Sequence, residues 1–142
     1  MKKYFLKKEG FSLLEIMVAF TILTVAFIAI SRSFPYGLAI NKTAENLTIA
    51  SFLAQDKIEE LHSLGYDNIL LGEVESRHKL SSDQGDYRFF YERDAFASYV
   101  DSDLVDSISD SGMKKISVTI YYTNPLSKQT DTYNISTLVS RR

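Results

Sequence analysis

A run of apolar residues from Phe11 to Ile30 is interrupted by one carboxylate, Glu15. A helix that crosses a bilayer needs about 20 mainly apolar residues, and this run has that length. A charge within such a segment costs roughly 2.5–3.5 kcal/mol if central, and ionisable residues in membranes usually have a specific partner. Glu15 lies near one end, where it costs less and where a long side chain can snorkel to the interface. An ordinary anchor would still gain by losing it. Its presence implies a second environment, in which a positive charge matches the carboxylate.

The residues before the run are MKKYFLKKEG, with Lys2, Lys3, Lys7 and Lys8. Positive residues ahead of a spanning segment hold that end in the cytoplasm, so the rest of the chain is expected outside the inner membrane. A secretory signal peptide has a shorter apolar region followed by small residues at its cleavage site. Here Ser31-Arg32-Ser33-Phe34-Pro35 follows instead, which points to an uncleaved anchor.

Gly10-Phe11-Ser12-Leu13-Leu14-Glu15, after a basic leader and before a long apolar run, resembles the N-terminus of type IV pilins and pseudopilins. The resemblance implies that a prepilin peptidase removes residues 1–10 as a leader, cutting between Gly10 and Phe11, and methylates the Phe11 nitrogen. It also implies that Glu15, fifth in the mature chain, serves assembly. Glycine leaves no side chain in a protease's way, and the new amine keeps its charge when methylated. A neighbouring subunit could bring that amine to Glu15. A buried unpaired carboxylate is costly and pairing recovers much of that cost, so the contact would act as a register device. Residues 11–30 are then the transmembrane and filament-core helix, and residues 31–142 hold the rest.

Pro35 lacks an N–H and biases Phe34 away from helix, and Gly37 weakens a helix further. A helix break at Pro35 and Gly37, as a kink or a local unwinding, is expected. A second helical pattern covers about 38–64, with Ala44, Leu47, Ser51, Ala54, Ile58 and Leu61 as its apolar stripe. Lys57, Asn46 and other polar residues fall on the remaining faces, and Gly65 is a stop. One helix from Phe11 to Leu64 would run about 80 Å at 1.5 Å per residue. The stretch Leu53–Leu61, with Gly65-Tyr66-Asp67 after it, also resembles minor pilins of the PilV type and I-type pseudopilins.

The C-terminal half reads as strands. Residues 66–72 form an irregular connection, 73–80 a short strand, and 81–86 a turn. The aromatic stretch Tyr87–Arg93 reads as a strand. Met113–Thr123 alternates clearly, with Ile116, Val118, Ile120 and Tyr122 on one face. A turn at 124–128 returns the chain as a partner strand over Gln129–Val139. The expected fold is α+β: a long N-terminal helix, its first half transmembrane and protruding, packed on a C-terminal antiparallel sheet. The pilin resemblance implies the same order.

The chain has no cysteine, which excludes disulfides and thiolate metal sites. Its net charge is -2. Loss of residues 1–10 removes four lysines and one glutamate and makes the chain more acidic, so no nucleic acid is expected as a partner. Asp101, Asp103 and Asp106 are weak calcium candidates in an acidic stretch, but the spacing is not that of an EF-hand, and a solvated loop is favoured. His62 and His78 are isolated. No catalytic motif is present, so neither an enzyme nor a cofactor is expected. Tyr87, Phe89, Phe90, Tyr91, Tyr121 and Tyr122 could form an adhesive or DNA-binding surface, but sheet core is favoured.

The leading expectation is a minor pilin of a type IV pilus, stored in the inner membrane with its N-terminus in the cytoplasm and assembled into an extracytoplasmic filament. Its partners would be the prepilin peptidase, other pilins or pseudopilins, an inner-membrane assembly platform and the lipid bilayer. The alternatives are a minor pseudopilin of a type II secretion or competence system, and a signal-anchored extracytoplasmic enzyme or binding domain.

Overall fold

The computed structural model describes residues 10–141. The four leader lysines lie outside the described residues. Helix α1 spans Leu13–Ser63. Strands β1 (Gly72–Lys79), β2 (Tyr91–Val100), β3 (Asp106–Ser107), β4 (Met113–Thr123) and β5 (Thr130–Ser140) follow. The chain divides into two compact units at Leu38, so α1 contributes to both.

In the first unit, α1 is helical through Pro35 and Gly37. The expected local unwinding does not occur there. Proline removes one backbone bond and costs about 3 kcal/mol, but propagation on both sides adds a bond for every residue fixed. No heavy atom crowds Gly37.

In the second unit, α1 from Ala39 packs on one face of a five-stranded antiparallel sheet of order β1-β2-β4-β5, with β3 paired to β2. The buried face of α1 is Ala50, Leu53, Ala54, Lys57 and Leu61. The expected stripe was right at Ala54 and Leu61, but Ala44 and Leu47 are exposed and Ala50 and Leu53 take their place. Small residues select the face here. Ala50 and Ala54 on the helix and Ala95 and Ala97 on β2 are nearly or wholly buried in one core cluster.

Strand β4 has the bounds and the buried face expected, with Ile116, Val118 and Ile120 fully buried and Tyr122 nearly so. Strand β5 pairs with it from Met113↔Ser140 to Thr123↔Thr130. The stretch Tyr87–Phe90 is not a strand. It forms a 3-10 turn, because the Asp86 carboxylate accepts from the Arg88 N–H at 2.9 Å and from the Arg88 guanidinium. Strand β2 starts at Tyr91 and continues to Val100. The connection 66–72 is more regular than expected, with a 3-10 turn over Tyr66–Asn68 and buried Tyr66 and Ile69.

Candidate functional site

Around the N-terminus of α1, Ser12 precedes the helix and its carbonyl accepts from the Ile16 N–H at 3.2 Å. Glu15 lies in the first turn, where a negative charge suits the helix dipole. Among the described residues no cation comes within ion-pair reach of it. Gly10 is exposed, and among the described residues nothing crowds it. Phe11 is 80% exposed.

Every residue from Phe11 to Leu38 is exposed. The segment includes a window long and apolar enough to cross a membrane, none of it buried. Three of its hydroxyls bond locally: Thr21, Thr24 and Ser33 donate to the carbonyls of Met17, Phe20 and Ala29 at 2.8, 2.8 and 3.0 Å. Local bonding of this kind is what a hydrocarbon environment demands of polar groups. Glu15 is thus the sole ionisable group between Phe11 and Ile30.

A second charged centre ties the helix to the sheet, and the periodicity of α1 gave no sign of it. Lys57 is buried, contrary to its expected place on a solvated face. Its ammonium meets Glu75 of β1 at 2.7 Å and Glu60 at 2.8 Å. Arg93 of β2 clasps the same Glu75 carboxylate with two bonds, at 2.9 and 3.3 Å. His78 Nε2 stands 3.4 Å from it. The side chains of Lys57, Glu75 and Arg93 are only 11–13% exposed.

Glu75 reaches this position because β1 has register shifts on both sides of it. Bulges of this kind re-aim side chains, and here Val74 and Glu75 are both partly buried although they adjoin. Burial alone would raise the Glu75 pKa, but the bonds and charges of Arg93 and Lys57 hold it below the ordinary carboxylate value. Burial likewise opposes the charge on Lys57, and Glu60 and Glu75 outweigh it, raising the ammonium pKa. The centre is an ion-paired clamp between three elements, with its charges satisfied.

A third cluster pins the connection after α1. Lys114, buried on β4, donates to the carbonyls of Tyr66 and Ile69 at 2.7 and 2.8 Å and lies 4.4 Å from the Tyr66 ring centre. The Tyr66 hydroxyl donates to Asp110, which also pairs with Arg141 at 2.8 Å. Burial, and then the bond to Asp110, push the Tyr66 pKa up to about 12.

The weak calcium candidates do not converge. The Asp101 carboxylate accepts from the Asp103 and Val105 N–H groups of its own loop. Asp106, in β3, pairs with Lys115 and accepts from Ser98. Among the described residues, no three His, Cys, Asp or Glu side chains gather as a metal set.

The aromatic residues divide. Tyr91 and Tyr122 are core and pack with ring centres 6.1 Å apart. Tyr87 and Phe90 are exposed, against the expectation of core, and border a groove of about 560 Å³. Arg77 lies 3.9 Å from the centre of the Tyr121 ring on its wall.

No similar curated protein and no similar solved structure was found for the chain. The open glycine, the exposed apolar helix and the carboxylate in its first turn nonetheless have a match: residues 6–31 carry the prokaryotic N-terminal methylation motif, the prepilin-type signal of type IV pilins and pseudopilins.

Proposed function

We propose that this chain is a structural subunit, a minor pilin of a type IV pilus. It is held in the inner membrane by residues 11–30, with its N-terminus in the cytoplasm, until it enters an extracytoplasmic filament. The methylation motif over residues 6–31 carries this reading. It implies processing by a prepilin peptidase and assembly with other pilins. The α+β fold, with α1 ahead of the sheet, supports it.

In this reading the peptidase cuts between Gly10 and Phe11 and methylates the new amine. That amine stays cationic. Glu15 of an axially shifted neighbour then meets it inside a bundle of apolar helices. The two charges each lose water, and their mutual attraction returns much of that cost only at the correct stagger. The lack of cysteine and the PilV-like stretch Leu53–Leu61 favour a minor pilin over a major one. A minor pseudopilin of a type II secretion or competence system would use the same N-terminal chemistry. Neighbouring genes separate these: secretin and exoenzyme genes favour secretion, retraction-motor genes a pilus.

The decisive measurement is the mass of the mature N-terminus. A chain starting at methylated Phe11 is expected; an intact Met1 in cells with active prepilin peptidase would sink the reading. Glu15→Leu should leave membrane insertion intact and reduce filament incorporation at least tenfold. Normal filaments containing that variant would refute the register role of Glu15.

A further inference from the structure

The groove bordered by Tyr87 and Phe90 belongs to neither the clamp nor the N-terminal segment. It lies where β4 ends and β2 begins, with Asn46 of α1 on its rim. Its volume of about 560 Å³ falls in the range of small-molecule sites. Tyr91 and Tyr122 line it from the core, while Tyr87 and Phe90 line it with more than half of each residue in solvent. Large apolar groups left open side by side mark a contact site.

The charges of the groove are unequally matched. Lys42 pairs with Glu45 at 2.9 Å and Arg77 with Glu92 at 2.6 Å. Lys79 has no carboxylate within ion-pair reach among the described residues. Its ammonium stands 4.2 Å from the centre of the Phe89 ring. That ring packs edge-on to Phe90 at 5.5 Å, so the unmatched cation adjoins an exposed ring. The Asn46 amide also has bonding capacity left. It donates to the Thr123 carbonyl and accepts from the Tyr91 hydroxyl, each at 3.3 Å, longer than an ordinary hydrogen bond. One of its two N–H donors has no other use.

We propose that this groove binds a sugar that carries a carboxylate, as in the uronate or sialate units of an oligosaccharide. The C–H face of a pyranose stacks on an open aromatic ring, which Tyr87 and Phe90 supply. Its hydroxyls donate and accept, and Glu45, Glu92 and Asn46 stand beside those rings to receive and return such bonds. Its carboxylate meets Lys79 in a charge-assisted bond. Other occupants match these groups less well. A purely apolar ligand would leave the polar groups of the rim desolvated without partners, which costs affinity. A single-stranded nucleic acid could stack on the same rings, but its phosphates would face Glu45 and Glu92 with one unmatched cation to offset them. The groove is made by residues 42–130 alone, so the proposal stands apart from leader cleavage and filament assembly.

The test is a titration of the purified full chain, in a detergent without a sugar headgroup, followed by saturation-transfer NMR of the ligand. Digalacturonate and sialyllactose are the acidic probes, and cellobiose and lactose their neutral controls. At least one acid is expected to bind at least tenfold more tightly than its control. Lys79→Met should remove that advantage, and Phe90→Ala should weaken the acid at least tenfold. Both residues are exposed, so the thermal midpoint should stay unchanged. If Phe90→Ala shifts it, Tyr87→Ala replaces that variant. Binding of neither acid, equal affinity for acid and control, an advantage that survives Lys79→Met, or affinity that survives the folded aromatic variant would each overturn the proposal. So would tighter binding of a thymidine tetranucleotide than of either acid. None of these outcomes depends on the mass of the N-terminus.

Discussion

Residues 13–38 of α1 are exposed at every position, whereas residues 39–63 bury Ala50, Leu53, Ala54, Lys57 and Leu61. Both stretches are α-helix, for different reasons. The second holds its conformation by packing one face on a sheet, the usual source of helix stability in proteins. The first is apolar around most of its circumference, and such a helix requires a bilayer or other helices around it. Exposure therefore has opposite meanings in the two stretches. An exposed apolar residue before Leu38 is a contact reserved for another environment, while an exposed residue after it is a solvent face.

This contrast is broken most severely by the same substitution in each half. Ala54→Asp puts an unpaired carboxylate at a site with no exposure. It should cost more than about 4 kcal/mol and unfold the sheet domain, as read by loss of the near-ultraviolet tyrosine signal, while membrane extraction stays unchanged. Ile22→Asp adds the same charge in the other half. It should weaken anchoring by about 3 kcal/mol, as read by release in alkaline extraction, and leave the domain's thermal midpoint where it was. If Ile22→Asp lowered that midpoint, the two stretches would not be independent in the way their burial indicates.

The clamp at Glu75 gives the next effect. Glu75→Ala leaves Lys57 and Arg93 largely buried and facing each other without their carboxylate, and should destabilise the domain by about 3 kcal/mol. Lys57→Met should cost less, because Arg93 keeps its two bonds to Glu75 and the aliphatic stem is replaced. A larger loss for Lys57→Met than for Glu75→Ala would reverse the assignment of Glu75 as the hub.

The same centre sets a pH dependence. The Glu75 pKa is lower in the folded state than its ordinary 4.5, so its contribution is present above that value and is lost as pH falls through the folded value. The Lys57 pKa is higher than its ordinary 10.5, so its contribution is present below that value and is lost as pH rises through the folded one. Stability from the clamp should be flat between these limits. Glu75→Gln should flatten the acid limb in thermal melts recorded from pH 7 downward.

The legible parts of the chain are those whose signal is local. Strand β4 alternates Ile116, Val118, Ile120 and Tyr122, and one buried face of a sheet suffices to produce that pattern. The motif at Gly10, Phe11 and Glu15 is contiguous. Non-local packing was hidden. Proline at position 35 has a strong local preference, but it sits between long helical segments that carry it. Asp86 folds Tyr87–Phe90 into a turn by a side-chain bond that outweighs the β propensity of its aromatics. Lys57 looks like a surface residue by type, and its burial depends on a bulge in β1 eighteen residues later that turns Glu75 inward.

The smallest effect tests this last point most directly. Lys42 and Glu45 are three residues apart and 2.9 Å from each other; Lys57 and Glu60 are three apart and 2.8 Å from each other. In sequence and in local geometry the two pairs are equivalent. Lys42 and Glu45 are both more than half exposed, so solvent screens them and Lys42→Ala should change stability by no more than about 0.5 kcal/mol. Added salt should reduce even that. Lys57 differs because it is buried and has a second carboxylate, Glu75, on the sheet. A Lys42→Ala cost near that of Lys57→Met, measured in the same thermal melts, would mean that the pair within the helix accounts for the effect and the contact with the sheet does not. A cost within the error of the melt places the energy in the contact between α1 and β1, where the burial is.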